Sequence, residues 1–284
     1  MGTLAVPGAC LYYEVHGTGP LLVLNGVPMG TAGFAALVPL LARHWTVLTY
    51  DPRGMFRSTV DDPGRDATPG LLADDLHRLL SMMDAGPVHL FGNSGGAVSG
   101  LALIARHPGL VRTFVAHEPP LAGLLPDAER MRAAIEEVCD DYVRHGRAAA
   151  LAKYAAVTGI ARFSQPPGGR RTATAPPVAV TPPAEVRAVL DRFFRRLLRP
   201  TAGYLPDLDA LRAARTRIVV ARGTTSDGQF ANRAAVALAE RLGIPVTDLP
   251  GDHTGFQECP EEFAARLHDL LGPPVLGRPD RRES

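Results

Sequence analysis

Cysteine is scarce and scattered. The three residues, Cys10, Cys139 and Cys259, are odd in number and form no Cys-x-x-Cys pair. That spacing argues against a disulfide framework and supplies no ligand set for zinc or another structural metal. Charge of one sign is missing as well: 30 basic and 29 acidic residues leave a formal net charge of +1. No overall field therefore draws the chain to nucleic acid or to an anionic membrane surface. No run approaches ~18 uninterrupted apolar residues. The opening stretch from Met1 to Pro7 has neither a charged n-region nor a long apolar h-region. Together these absences predict a cytoplasmic protein whose partner is a small neutral molecule rather than nucleic acid or membrane. At 284 residues the chain can bury a substantial core, and one large domain carrying an insertion is the expected organisation.

What is present centres on Val88-His89-Leu90-Phe91-Gly92-Asn93-Ser94-Gly95-Gly96-Ala97. An apolar strand breaks into Gly-x-Ser-x-Gly and continues as a helix through Ala105. On such a nucleophile elbow the residues two before and two after the serine must be small, so that strand and helix can approach; Gly92 and Gly96 meet that need. The turn lifts the Ser94 hydroxyl clear of the sheet and aims the Gly95 N–H, at the helix N-terminus, toward an oxyanion forming there.

Around the elbow, strand and helix alternate. Leu11–Val15, Leu21–Leu24, Trp45–Tyr50 and Val111–Ala116 read as strands, and Phe34–Arg43 and Leu71–Met83 as helices. From about Pro119 to Leu208 the alternation stops. Glu129–Arg147 and Ala184–Leu198 read as helices there, separated by a loop around Gln165–Gly169 and Ala175–Pro177 too proline-rich to be helical. The alternation resumes with the strand Ile218–Gly223, a helix from Asn232 to Leu242, a short strand ending at Leu249 and a last helix, Glu261–Leu271. The predicted architecture is α/β: a mainly parallel sheet flanked by helices, built from 1–118 and 209–272, with 119–208 as a helical cap insertion. The charged, proline-containing tail, 273–284, is expected to be disordered. Open parallel sheets bind ligands beyond the carboxyl ends of their strands. Gly26, Val27, Ser94, Glu118, Asp227 and His253 all fall at such ends.

In chain order, Asn25-Gly26-Val27-Pro28, Asp51-Pro52-Arg53-Gly54-Met55-Phe56-Arg57-Ser58, Gly92-Asn93-Ser94-Gly95-Gly96 and Pro250-Gly251-Asp252-His253 give the chain a resemblance to the α/β-hydrolase superfamily over roughly residues 9–272. Within it, Ala116-His117-Glu118-Pro119-Pro120 resembles the acid-bearing turn of the fungal zearalenone lactonases. Those enzymes open a resorcylic macrolactone with a Ser-His-Glu triad and no cofactor. The resemblance implies Ser94 as nucleophile and His253 as general base. It leaves two acids open: Glu118, which is favoured, and Asp227, in the loop where most members of the superfamily carry theirs. The usual spacing in that loop falls on Ser226. Two N–H donors, Gly95 and one from Gly26 or Val27, would form the oxyanion hole, with Asn25 where many relatives have histidine. Arg53 is expected to brace nearby loop backbones rather than bind substrate.

The insertion would cover the serine and set the substrate through apolar side chains: Met131, Tyr154, Phe163, Phe193, Phe194, Leu197 and Tyr204, with Met29 and Phe230 from the core. As a set they favour an apolar ester or lactone. Carbon–carbon bond hydrolysis, cofactor-free perhydrolysis and ligand capture without turnover use the same scaffold and stay open. A cap helix could equally serve a homodimer interface.

Overall fold

Successive strand residues point to opposite faces of a sheet. Strands that are apolar at both parities therefore need cover on both sides. The computed structural model describes residues 1–160 and 183–272. Its nine strands among the described residues are β1 (Gly2–Val6), β2 (Ala9–His16), β3 (Leu21–Val27), β4 (Thr46–Tyr50), β5 (Thr59–Val60), β6 (Val88–Ser94), β7 (Val111–His117), β8 (Arg217–Gly223) and β9 (Val246–Leu249). They form one sheet in the order β1-β2-β4-β3-β6-β7-β8-β9, with β5 beside β2. Pairs involving β2 are antiparallel and all pairs from β4 to β9 are parallel. The alternation read from the sequence thus produces the mainly parallel sheet it predicts.

The helices are α1 (Val38–Leu41), α2 (Pro69–Met83), α3 (Gly95–Arg106), α4 (Ala128–His145), α5 (Arg147–Thr158), α6 (Ala184–Arg192), α7 (Leu198–Ala202), α8 (Leu208–Ala213), α9 (Phe230–Leu242), α10 (Gly255–Glu258) and α11 (Pro260–Leu271). Val23, Leu48, Leu90, Phe114 and Val220 face α2, α3 and α9 in one apolar cluster. Leu22, Val47, Phe91, Val115 and Val219 face α1 and α11 in a second. All seven residues of β3 are buried, as expected for a strand with cover on both faces.

Local departures from the expected elements have identifiable causes. The helix predicted over Phe34–Arg43 is a short 3₁₀ turn, Thr31–Phe34, followed by α1. Pro39 stands in the first turn of α1 and has no N–H to continue a helix from Phe34. The helix expected to run to Arg147 ends at His145, because Gly146 takes φ 82° and ψ −174°, and α5 starts afresh beyond it. The helix expected over Ala184–Leu198 passes through a π turn at Phe193–Leu197 and ends at Ala202. Pro200 cannot donate to the Arg196 carbonyl, and the Ala67 N–H takes that acceptor instead at 2.9 Å. Strand β1, which has only a weak alternating pattern and one buried residue, is not apparent in the sequence. The proline-rich loop around 165–177, Phe163 and the tail 273–284 lie outside the described residues.

Between β7 and β8 the described residues contribute helices and no strand. This stretch is tied to the core through Arg192, whose Nε donates to the Arg53 carbonyl at 3.0 Å. An Asp127–Arg233 ion pair joins the start of α4 to α9. Arg53 itself does more than brace a loop: its guanidinium makes a two-pronged pair with Asp75 on α2, at 2.6 and 2.5 Å, and only a long contact to the Pro7 carbonyl. Both side chains are 2% exposed. Breaking such a pair strands a buried charge, so Arg53→Ala is expected to lower stability by about 3–5 kcal/mol. Urea unfolding would measure it, and a change below ~1 kcal/mol, the range of exposed pairs, would show that the pair is not a buried one.

Candidate active site

The elbow follows from close approach of backbones. A Cβ on Gly96 would lie 2.0 Å from the Asn25 carbonyl oxygen, and one on Gly92 would lie 2.8 Å from the Gly96 carbonyl oxygen. Only glycine lets β6, β3 and α3 meet here. Between these glycines Ser94 takes φ 56° and ψ −124°, a conformation costing a non-glycine residue about 1–3 kcal/mol. The half-buried serine stands at the end of β6, opposite Val27 of β3 and at the N-terminus of α3. Among the described residues its hydroxyl takes part in no hydrogen bond, to His253 or any other side chain, which leaves it available to a substrate or a base.

The neighbouring strand ends bring the other groups together. Asn93 of β6 is in register with His117 of β7, and the Glu118 N–H donates to the Ala221 carbonyl of β8 at 3.0 Å. Glu118 also takes a left-handed backbone, φ 49°, so both Ser94 and Glu118 hold strained conformations. Glu118 is fully buried. Its Oε2 accepts a hydrogen bond from His253 Nδ1 at 2.7 Å. The other oxygen accepts from the Gly223 N–H at 2.9 Å and from the Ser226 hydroxyl, with Asn232 Nδ2 at 3.5 Å. Burial pushes this carboxyl up, but the hydrogen bond and charge of His253, the nearby His117 and the Ser226 hydroxyl outweigh it and hold Glu118 at about 2. It is a carboxylate at neutral pH. The imidazole of His253 consequently carries its proton on Nδ1, which leaves Nε2 as the basic nitrogen.

Asp227, the alternative acid, is exposed and makes no hydrogen bond to a described residue. The structure brings Glu118, and not Asp227, to His253. Among the described residues the ionic partner of Glu118 is this histidine and not an arginine. His117 is also buried at this edge. Its Nδ1 donates to Asn93 Oδ1 at 2.7 Å, its ring lies 6.3 Å from that of His253, and its Nε2 has no hydrogen-bond partner among the described residues. Burial, reinforced by His253 and opposed by Glu118, lowers it to about 4, so it is neutral.

Gly26 and Val27 stand in register with Asn93 and Ser94, and Gly95 packs against Val27, where an added Cβ would lie 2.9 Å from the Val27 carbonyl oxygen. Asn25, where many relatives have histidine, turns out to be a fastener. Its amide nitrogen donates to the Gly96 carbonyl at 2.8 Å and to Ser99 Oγ at 3.0 Å, and its oxygen accepts from the Tyr50 hydroxyl at 2.9 Å. This one buried side chain joins β3, β4 and α3 under the elbow. The signal for it in the sequence is a polar residue closing an otherwise apolar strand. A second fastener is Asp51, fully buried, which accepts from the Thr31 N–H at 2.9 Å and from Arg57 Nε at 2.8 Å. It holds the loop that follows Val27.

The apolar residues expected to line a pocket divide differently. Tyr154, Phe193 and Phe194 pack edge to face on one another at 5.0–6.1 Å. With Met131 and Leu197 they form a buried interior for the helical insertion, and Phe230 is buried in the same cluster. Their placement is that of packing residues. Met29 and Tyr204 are half-buried; the Met29 methyl lies where a Cβ on Gly26 would sit, 2.7 Å from that position. No group of three or more His, Cys, Asp or Glu among the described residues could hold a metal ion. No helix among them is long and apolar enough to cross a membrane.

Two outcomes follow from this geometry. A methyl at position 96 has nowhere to go, so Gly96→Ala is expected to destabilise the fold by about 1–3 kcal/mol, read from the denaturant midpoint; a neutral change would mean that the elbow is looser than its contacts show. The Glu118 carboxyl is lowered from 4.5 to about 2. A depressed acid contributes stability that is present above its unfolded value and is lost as pH falls through its folded value. The stability difference between wild type and Glu118→Gln should therefore be largest above pH ~4.5 and shrink toward pH ~2. A pH-independent difference across that window would contradict the assignment.

The model of the α/β hydrolase fold family matches residues 19–158. The chain is 33% identical over 275 residues to the uncharacterized hydrolase YraK of Bacillus subtilis, covering 95% of both proteins. Among solved structures, an α/β hydrolase from Sphaerobacter thermophilus superposes with a TM-score of 0.69 at 20% identity, over 95% of this chain and all of the other. A thermophilic esterase from Thermogutta terrifontis gives 0.69 at 20% identity over 95% and 96%. Sheet order, elbow and a relative matched along almost its whole length agree, and the chain belongs to the α/β-hydrolase fold family as one of its hydrolases.

Proposed function

We propose that the protein is a serine hydrolase that cleaves a carboxylic ester or lactone of an apolar small molecule through an acyl-enzyme. The observation that carries this reading is the 2.7 Å bond from His253 Nδ1 to the buried Glu118 carboxylate at the same sheet edge as Ser94 on its strained turn. In this mechanism His253 Nε2 takes the Ser94 proton as Oγ attacks the substrate carbonyl carbon. The developing oxyanion accepts from the Gly95 N–H and from the N–H of Val27, with Gly26 allowing the approach. His253 then gives its proton to the departing alkoxide, and the alcohol leaves or, in a lactone, stays tethered to the acyl group. Water enters, His253 removes its proton, and the second tetrahedral intermediate collapses to the acid and free Ser94. Glu118 holds the imidazole tautomer and stabilises the imidazolium in both halves.

The helices described between β7 and β8 serve as the cap over Ser94, with Met29 and Tyr204 as the half-buried apolar side chains open to a substrate. The lactone form of the reading rests on the turn His117-Glu118-Pro119-Pro120, where the acid follows β7 rather than β8, as in the zearalenone lactonases. With a formal net charge of only +1, a neutral apolar ester suits the chain better than an anionic one.

The test is hydrolysis of a short aryl ester and of a phenolic macrolactone by wild type and Ser94→Ala. The variant is expected to lose about 10³-fold or more in kcat on any accepted substrate while keeping its melting temperature. A retained rate would sink the nucleophile assignment. Glu118→Gln is expected to cost about 10²–10⁴-fold and Asp227→Asn to stay within a factor of about two; the reverse order would return the acid to Asp227. Macrolactone opening supports the lactone form, and cleavage of the aryl ester alone restricts the reading to an esterase.

A further inference from the structure

Beside the Glu118 carboxylate, the reading of Ser94, His253 and Glu118 as a hydrolytic triad leaves Ser226 and Asn232, 0% and 2% exposed, without a stated task. Both converge on the far side of the Glu118 carboxylate. Their hydrogens can be counted. Asn232 has two amide hydrogens and three acceptors in range, Ser226 Oγ at 3.0 Å, the Gly223 carbonyl at 3.3 Å and Glu118 Oε1 at 3.5 Å, and the two nearer ones take them. Ser226 has one hydroxyl hydrogen and two acceptors within reach, the Glu118 Oε1 and the Gly223 carbonyl at 3.1 Å. With one amide hydrogen filling a lone pair of Ser226 and the other directed at the Gly223 carbonyl, the Ser226 proton has two acceptors to choose between, the second lone pair of that carbonyl and the nearer carboxylate. A bond to a charged acceptor is also the stronger of the two. The Gly223 N–H adds a second donor to the same oxygen.

We infer that Asn232 and Ser226 are positioning residues. They form a one-way chain of donors, Asn232 to Ser226 to Glu118 Oε1, that saturates one carboxylate oxygen and leaves Oε2 to His253 alone. The inference rests on the triad reading and extends it by two residues. It also accounts for what stands at position 226, where the superfamily's usual spacing places the acid: with the acid on Glu118, a carboxylate at 226 would face a like charge at hydrogen-bond distance, whereas a hydroxyl supplies a donor. Neither residue touches a reacting atom. Their effect is on how firmly the imidazole is held, and so on the chemical step rather than on substrate binding.

The experiment measures kcat and KM on p-nitrophenyl acetate, together with the rate at which a fluorophosphonate labels Ser94, in wild type, Ser226→Ala, Ser226→Thr and Asn232→Ala. Ser226→Ala is expected to lose about ten- to hundredfold in kcat, with KM within about twofold, and to slow labelling in parallel. Asn232→Ala should lose less, about three- to tenfold, in the same two readouts. Ser226→Thr, which keeps the hydroxyl, should recover most of the rate. Should Ser226→Ala fail to fold, Asn232→Ala carries the comparison. Wild-type kcat and labelling in both alanine variants would overturn the positioning role while leaving the triad intact. A change in KM alone, or no recovery in a folded threonine variant, would overturn it equally. A wild type that neither hydrolyses the ester nor is labelled at Ser94 would remove the hydrolase reading, and the donor chain with it.

Discussion

A carboxylate with no exposure to water is expensive, and the bond between Glu118 and His253 is the interaction around which this molecule's candidate site is arranged. An unpaired buried charge of this kind would be protonated or would unfold its surroundings. Here three donors share it, His253 from the loop after β9 and the Gly223 N–H and Ser226 from the end of β8 and the loop beyond it, with Asn232 from α9 backing Ser226. Each segment is positioned by the parallel register of β7, β8 and β9. The sheet order therefore determines the charge state of Glu118, and the charge state determines which nitrogen of His253 is basic.

On the other side of the site the constraint is steric. The Gly96 backbone packs against the Asn25 carbonyl so tightly that no side chain fits. Asn25 then uses its amide to tie that same glycine's carbonyl, Ser99 and Tyr50 into one buried network. Ser94 is held in a strained conformation because both flanks of its turn are pinned, and Glu118 is held in another by its register on β8. Two strained non-glycine residues facing one sheet edge are the signature of a site whose geometry is set before any substrate arrives. Asp51 and Arg57 extend the pinning outward to the loop that follows Val27.

Much of this was legible in the sequence because the determining residues act locally. Gly92, Ser94 and Gly96 specify their turn by size, and the apolar strands specify a covered sheet by being apolar at both parities. The assignment of Ser94 and His253 to one edge follows from where strands end, a property of chain order. What was not legible depends on contacts between distant segments. The turn before Pro119-Pro120 favours Glu118 over Asp227 but does not decide between them, since the answer is a bond spanning 135 residues. The partners of Ser226 and Asn232 are hidden for the same reason. Tyr154, Phe193 and Phe194 have the composition of pocket walls and the placement of a packed interior, because helical spacing does not reveal which face of a helix meets its neighbour. Pro39 breaks a helix that periodicity alone would have run straight through, while Pro200 sits inside a helix that continues to Ala202, beyond the end expected at Leu198.

The central claim is that Ser94, activated through His253 by Glu118, becomes acylated during turnover. Peptide mapping by mass spectrometry after acid quench, with a slowly deacylating substrate such as p-nitrophenyl pivalate, tests it most directly. The account predicts one acyl group on the peptide that carries Ser94, absent from Ser94→Ala and slow to form in Glu118→Gln. An acyl group on a different residue, or turnover that persists in Ser94→Ala with no covalent adduct, would contradict it.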